Sequence, residues 1–323
     1  MTNSTVTDTT VTDTTVTNAV DVVICTRNRS ENIESAVSSV LNNTYPTFHL
    51  TVIDQSTTDA TELVLRPIVE ADPRLRYVHV DEAGLSRAYN TGIRMTTAEI
   101  LAFTDDDCLV PTNWVASIAA AFEAEPDGDL LYGNVVAFEP GSESGLTPTL
   151  FVERPERLSR KDGFRVFGMG ANFAARRRLF TSVGGFDEVL GGGGPLRSSQ
   201  DFDLAYRVFQ NDSVILLRPE VTIRHDGRRE PDQWPALLKA YGTGDGAFYM
   251  KHVRCRDMYA TRLLAKRLVE VIAKIVVKWV VRRSKPAEIY YLQGMISGMR
   301  GSFGFKVDAA RRLYVGDQAP AHG

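Results

Sequence analysis

Val22-Val23-Ile24-Cys25-Thr26-Arg27-Asn28-Arg29-Ser30 and, further along, Leu50-Thr51-Val52-Ile53-Asp54 frame the segment that decides the fold. The first is a short apolar run of β-prone residues ending in polar ones, which reads as a buried strand. Ser30 stands where a helix N-cap is expected, and Ile33, Val37, Val40 and Leu41 recur at helical spacing. The second run is another strand, ending at Asp54. Strand, helix and strand in this order make a βαβ unit, which requires a parallel sheet. Outward from it the alternation continues. Asp59 with Glu62 resembles a capping box, and Pro67 is expected to kink or end the helix that follows. Tyr77-Val78-His79-Val80 is a third strand, Gly84 introduces a helix to about Met95, and Ile100-Leu101-Ala102-Phe103 is a fourth strand. Tyr132 to Phe138 reads as a strand, 141–148 as a loop, 171–183 as a helix, and Asp201 to Gln210 as another helix.

In an open parallel sheet, ligands bind beyond the carboxyl ends of the strands. Polar groups stand there each time: Thr26-Arg27, Asp54, and Asp105-Asp106-Asp107 directly after the fourth strand. The first turn has no glycine and so lacks the GxGxxG dinucleotide fingerprint. The four glycines at 191–194 lack the lysine of a phosphate-binding P-loop. Three adjacent carboxylates raise one another's pKa unless something neutralises them, and a hard divalent cation does so through oxygen ligands. Mg²⁺ or Mn²⁺ suits the site because such an ion bridges protein carboxylates and a diphosphate. A solvated acidic turn is the plainer alternative.

The opening strand and loop, Val22 to Arg29, resemble those of the family-2 glycosyltransferases. Val52-Ile53-Asp54-Gln55-Ser56-Thr57-Thr58-Asp59 is similar to their second-strand motif, with Gln55 where a second aspartate is often found. Gly84 to Ile93, Phe103 to Asp107, Gly170-Ala171-Asn172, Gly184-Gly185-Phe186-Asp187 and Gln200-Asp201-Phe202-Asp203-Leu204 follow in the family's order, covering roughly residues 20 to 230. The resemblance implies a GT-A fold: a mostly parallel central sheet flanked by helices, with a helical segment at the C-terminus. It implies an inverting, metal-dependent transfer of a sugar from a nucleotide-diphosphate donor. Asp54 would hydrogen-bond a uracil or thymine, which favours a UDP- or dTDP-sugar. Thr26 and Arg27 would line the nucleoside pocket, and Arg87 would meet the diphosphate. Asp105 and Asp106 would touch the donor, and Asp105, Asp107 and His225 would hold Mn²⁺ or Mg²⁺, with Arg228 or Arg229 near the diphosphate. Asp201 would be the general base, although the family usually carries Glu-Asp where this chain has Gln200-Asp201. Asn172 and Asp203 would lie on the acceptor side. Processive synthases carry QxxRW, which this chain lacks, so a non-processive enzyme of cell-surface polysaccharide or glycolipid synthesis is expected. A nucleotidyltransferase of similar fold and a non-catalytic nucleotide-sugar-binding protein are the alternatives.

The chain of 323 residues is long enough to bury a full core. Its formal net charge of -3 argues against nucleic-acid binding by the whole chain. Three cysteines without a paired spacing fit neither a disulfide framework nor a zinc site. No signal peptide and no charge-free spanning stretch are evident, so the cytoplasm is the expected compartment. Residues 1–18 repeat a Val-Thr-Asp-Thr-Thr theme and read as a disordered tail. The GT-A domain is expected over 19–255 and an amphipathic helical region over 256–323. Within that region, Arg267, Glu270, Lys274, Lys278 and Arg282 fall on one stripe of a helix over Tyr259 to Arg283, and nearly everything else there is apolar. This pattern fits a helix lying in an anionic membrane surface, such as the inner face of the plasma membrane; a lipid-linked acceptor would fit that reading, and a carbohydrate acceptor stays open beside it. Packing of the apolar arc on protein is the alternative.

Overall fold

The computed structural model describes residues 19–138, 148–227, 230–283 and 286–315. The expected tail over 1–18, most of the 141–148 loop, and Arg228 and Arg229 lie outside them. The first half alternates as the apolar runs dictate: β1 (Val20–Thr26), α1 (Ser30–Leu41), β2 (Phe48–Asp54), α2 (Ala60–Ala71), β3 (Leu75–His79), α3 (Leu85–Met95) and β4 (Ile100–Asp105). There follow β5 (Cys108–Leu109), α4 (Trp114–Ala124), β6 (Gly128–Ala137), β7 (Glu156–Leu158), β8 (Asn172–Arg176), α5 (Arg177–Val183), α6 (Gln200–Gln210) and β9 (Val214–His225). Three long helices, α7 (Trp234–Arg254), α8 (Met258–Arg282) and α9 (Glu288–Gly301), precede a small hairpin of β10 (Lys306–Asp308) and β11 (Leu313–Val315).

The main sheet runs β3-β2-β1-β4-β8-β6-β9-β5, with β7 also on β9. β1, β2, β3 and β4 are mutually parallel, and β6 is parallel to β9. Between these two parallel groups β8 runs antiparallel to both β4 and β6. Alternate residues of β1 feed opposite layers: Val23 joins the core under α3, α5 and α6, whereas Val22 and Ile24 join the core under α1, α2 and α4. All seven residues of β1 are buried. Each Val or Ile so placed contributes about 1.5 to 3 kcal/mol of transfer free energy.

Three local expectations are corrected. The 171–183 segment is a strand followed by a short helix, because Asn172 to Arg176 pairs with β4 on one side and β6 on the other. Pro67 sits inside α2, which runs on to Ala71, and neither Asp59 nor Arg29 caps its helix through a side chain. Ser30 is the first helical residue of α1 rather than its cap.

The boundary expected near 256 falls in the short turn between α7 and α8. Helices on both sides nevertheless feed one core: Leu264, Val271, Tyr291 and Met295 join Phe248 and the sheet residues. α7 and α9 meet backbone to backbone. A Cβ on Gly242 would stand 2.1 Å from the Tyr291 carbonyl oxygen, and one on Gly246 would stand 2.1 Å from that of Met295. Reciprocally, Gly294 faces the Lys239 carbonyl and Gly298 the Thr243 carbonyl. Glycines four apart on both helices let the axes approach as side chains would not allow.

Candidate active site

Beyond the carboxyl ends of β1 and β4 lies a cavity of about 1080 Å³, the upper end of the usual range for ligand sites and roomy enough for a donor and an acceptor together. Its sheet-side floor is Thr26, Arg29, Gln55 and Asp105 to Asp107. Asp201, Phe202 and Phe164 stand opposite, and Tyr241, Asp245, Arg267 and Tyr291 come from the three long helices.

The acidic run is built by strand ends. β4 delivers Asp105, and the two-residue β5 pairs Cys108 with His225 at the end of β9, which sets Asp107 beside the imidazole. His225 Nε2 lies 3.3 Å from Asp107 Oδ1, and its Nδ1 faces the Pro148 carbonyl at 3.1 Å. Thr26 Oγ1 donates to Asp106 at 2.7 Å, and Arg29 donates to Asp106 at 2.8 Å and to Asp107 at 2.9 Å. Tyr89 donates to Asp105 at 3.2 Å. Burial, then the charges of Asp107 and Asp106, push the Asp105 carboxyl up to about 7. Burial also raises Asp106, although Arg29 and Thr26 oppose it. Burial works against a charged His225, but Asp107 outweighs it and the imidazole titrates above its ordinary value. Asp107, Cys108 and His225 place ligand atoms within 4.8 Å of one another. Burial raises the Cys108 thiol well above its ordinary value, which leaves the oxygens and the imidazole as the effective donors.

Asp201 enters the cavity from the first turn of α6, one carboxylate oxygen accepting the Gly170 amide at 3.0 Å and the other the Phe202 amide at 2.8 Å. Burial raises its pKa, against the lowering effect of those amides. It does not occupy the N-cap position, which belongs to Ser199 at φ 69°. The glycine run contributes Gly192 and Gly193 to the cavity rim, and the Gly192 carbonyl accepts the amide of Leu85 at 2.8 Å.

Of the residues singled out from sequence, the cavity gathers Thr26, Arg27, Asp105, Asp106, Asp107, Asp201 and His225. Four lie elsewhere. Asp54 is fully buried, accepting the Ser56 amide at 2.8 Å and the Tyr77 hydroxyl at 2.8 Å, the Asx-turn arrangement. Arg87 turns to Glu82 and Glu188 on the outer face of α3. Asn172 is sealed between Trp114, Asn134 and Val221, its amide fully satisfied and facing no cavity. Asp203 is equally sealed, held by Arg207 at 2.8 Å, Lys251 at 2.6 Å and His252 at 3.0 Å. The acceptor-side placement expected for Asn172 and Asp203 is therefore corrected: neither is accessible to a ligand in this structure.

Residues not singled out take part instead. Gln55 lines the cavity and holds its rim, accepting the Gly84 amide and donating to the Gly84 and Glu82 carbonyls. Arg29, inside the Thr26 to Ser30 turn, balances the acidic run. Asp245 of α7 accepts hydrogen bonds from Ser199 at 2.7 Å and from Tyr291. Burial raises its carboxyl, and Asp201 adds to the effect.

The sequence profile of glycosyl transferase family 2 matches residues 21–184, about half of the chain. The chain belongs to this family. Family 2 relatives include a glucosyl-dolichyl phosphate glucuronosyltransferase of Haloferax volcanii, 26% identical over 219 residues, covering 64% of this chain and 68% of the relative. A pre-mycofactocin glycosyltransferase of Mycobacterium tuberculosis is 23% identical over 239 residues, covering 72% of this chain but 48% of that protein. The match thus spans about two thirds of the length of the first relative and just under half of the second. Among solved structures, a mannosyltransferase from Pyrobaculum calidifontis in complex with GDP-Man and Mn²⁺ matches with a TM-score of 0.58 at 18% identity, over 88% of this chain and 86% of that one. Residues 1-349 of the S. aureus protein TarS, in complex with UDP-GlcNAc, match at 0.59 and 16% identity, over 87% and 81%. Both share the GT-A arrangement of a central, mostly parallel sheet between helices. Membership in family 2 makes the chain a glycosyltransferase enzyme.

Proposed function

We propose that the chain is an inverting, non-processive glycosyltransferase that moves a sugar from a nucleotide-diphosphate donor, UDP- or dTDP-sugar favoured, to a hydroxyl of a carbohydrate or lipid-linked acceptor, in cell-surface polysaccharide or glycolipid synthesis. One observation carries it: Asp105 to Asp107 and Asp201 converge from β4 and α6 on one cavity. The P. calidifontis neighbour's GDP-Man and Mn²⁺ and the TarS neighbour's UDP-GlcNAc support a nucleotide-sugar donor by analogy of fold. The preference for a uracil or thymine base rests on the resemblance of Val52 to Asp59 to the family's second-strand motif alone, because Asp54 itself is buried outside the cavity with Ser56 and Tyr77.

The residues present fit a divalent cation. Asp107 and His225 lie within reach of one another, and Asp105, whose charge burial and its acidic neighbours disfavour, gains most from a positive partner. Asp105, Asp107 and His225 would hold Mn²⁺ or Mg²⁺, which when bound neutralises the charge that develops on a diphosphate leaving group. The chain's own groups do the rest. Asp201 accepts the proton of the acceptor hydroxyl. That oxygen bonds to the anomeric carbon, and the bond to the diphosphate oxygen breaks with its electron pair leaving on the diphosphate. A single displacement of this kind inverts the anomeric centre. The raised pKa of Asp201 brings it nearer the working pH, where a base is most effective. Arg29 and Arg27 at the cavity floor are placed to take up anionic charge as it forms.

A thermal-shift panel of nucleotide diphosphates, with and without Mn²⁺, tests the donor site, because ligands of the folded state raise its melting temperature. One nucleotide should stabilise the protein in a metal-dependent way, and the effect should vanish in Asp105→Ala/Asp107→Ala. No metal-dependent shift with any nucleotide would overturn the donor assignment.

A further inference from the structure

α8 is turned inside out. A helix on the surface of a water-soluble domain buries its apolar stripe and shows its polar one. Here two members of the polar stripe turn to the protein: Arg267 donates to Tyr291 of α9 at 3.0 Å, and Lys278 pairs with Glu288 of α9. A narrow apolar strip, Leu264 and Val271 with Leu268 and Ile275 beside them, packs into the core. The broad apolar arc left over points outward. Val269, Ile272, Val276, Trp279, Val280 and Val281 are all between 48% and 73% exposed. On a 25-residue helix about 38 Å long these residues form one continuous face.

Charge says what covers it. α8 carries six basic residues (Arg262, Lys266, Arg267, Lys274, Lys278, Arg282) against one acidic residue, Glu270, in a chain whose formal net charge is -3. Arg262, Lys266 and Lys274 are exposed alongside the arc, and the half-exposed Glu270 lies 3.8 Å from Lys266 and 3.9 Å from Arg267. An apolar face edged with an excess of cations over its single carboxylate complements an anionic bilayer. A second copy of the same helix would set like charges against each other. No helix among the described residues is long and apolar enough to cross a membrane, so the contact is parallel to the surface.

We propose that the outer face of α8, from Val269 to Val281 with Lys266 and Lys274, is a docking surface for an anionic lipid bilayer. It sets the mouth of the cavity at the membrane, since the same helix supplies Leu263, Lys266, Arg267 and Glu270 to the cavity wall. The inference deepens the proposed transfer reaction by placing its acceptor among molecules carried on a lipid surface, and for that acceptor class it rests on the proposed reaction.

The test uses the full chain and vesicles of phosphatidylcholine, alone or mixed in equal parts with phosphatidylglycerol. Trp279 is the reporter: of the three tryptophans it is 66% exposed, whereas Trp114 is already buried. Co-sedimentation should be at least about tenfold greater with the anionic vesicles, since each basic group at such a surface adds about 1 kcal/mol. Tryptophan emission should shift to the blue, and the shift should be absent in Trp279→Phe. Val276→Asp/Val280→Asp should abolish both effects while keeping the wild-type melting temperature and the metal-dependent nucleotide shift, which separates this inference from the donor-site reading. Absence of sedimentation, equal sedimentation with both vesicle types, or a concentration-dependent dimer that buries Trp279 and excludes vesicles would each overturn it.

Discussion

Two clusters of charge lie at opposite faces of α6, and they are built to opposite rules. At the cavity, Arg29 pairs with Asp106 and Asp107 beside Asp105, and burial drives the carboxyls of Asp105 and Asp106 upward. On the far face, Asp203 and Asp187 share Lys251 at 2.6 Å each, with Arg207 and His252 completing the set and Lys251, His252 and both carboxylates sealed from water. Burial disfavours the Asp203 charge too, but Lys251, Arg207 and His252 outweigh it and hold this carboxyl far below its usual range. The first cluster is left short of positive charge, which is what a cation and a diphosphate require. The second is balanced internally by Lys251 and Arg207 and is closed to any ligand from solvent. Chemistry and architecture are thus separated along two turns of one helix.

Breaking each cluster in turn sharpens that contrast. Asp201→Asn, at the open face, is expected to lower kcat about 10²- to 10⁴-fold, the usual worth of a general base. The nucleotide-induced melting shift should stay unchanged, and steady-state kinetics beside the shift assay checks both. Lys251→Met, at the sealed face, leaves two buried carboxylates without their cation, so urea unfolding should show a loss of about 3 to 5 kcal/mol. Catalysis per folded molecule should change little. If Lys251→Met instead spared stability and removed activity, the division between the clusters would collapse.

A pH series probes the sealed face more finely. Burial, against the pull of Asp203, lowers His252 from 6.5 to about 4, so the unfolded chain takes up its proton first as pH falls. This group's contribution is therefore fully present above pH 6.5 and is lost progressively toward pH 4, by about 3 kcal/mol at most. Below that, protonation of Asp203, whose folded pKa is depressed, removes stability in the same direction. The difference between wild type and His252→Gln in unfolding free energy should change across pH 6.5 to 4 and be flat above pH 7. The smallest effect is expected for Arg29→Ala: Mn²⁺ titrations should show a shift of only a few-fold in apparent metal affinity, since one partly exposed cation is exchanged for water. A thousandfold change would mean that Arg29 governs the acidic run.

The open face was largely legible in the sequence and the sealed one was not. β1 to β4 alternate with their helices, each apolar run ending in the polar group it delivers, so Thr26 and Asp105 to Asp107 could be placed by local pattern, and Asp201 by the family resemblance of Gln200 to Leu204. Asp203 was read as an acceptor contact because it stands two residues after Asp201. That spacing turns a side chain about 200° around a helix, a signal that could have set it on the core side. Asn172 was set on the acceptor side by the resemblance of Gly170 to Asn172, and the segment 171–183 was read as helix, while pairing with β4 and β6 makes its first part a strand and seals Asn172; such non-local pairing leaves no local periodicity. Asp245 stayed hidden among Gly242, Gly244 and Gly246, residues that weaken a helix by about 1 kcal/mol each and mask the 21-residue α7.

Those same glycines bear on how the enzyme can change. In the cavity wall α7 and α9 are registered against each other by main-chain contact at Gly242, Gly246, Gly294 and Gly298, not by interlocking side chains. Cleft-facing positions on α7, such as Leu237, Ala240 or Tyr241, can therefore be exchanged without shifting the frame that carries them. Acceptor choice becomes a variable that mutation can explore one residue at a time, while four glycines hold the geometry constant.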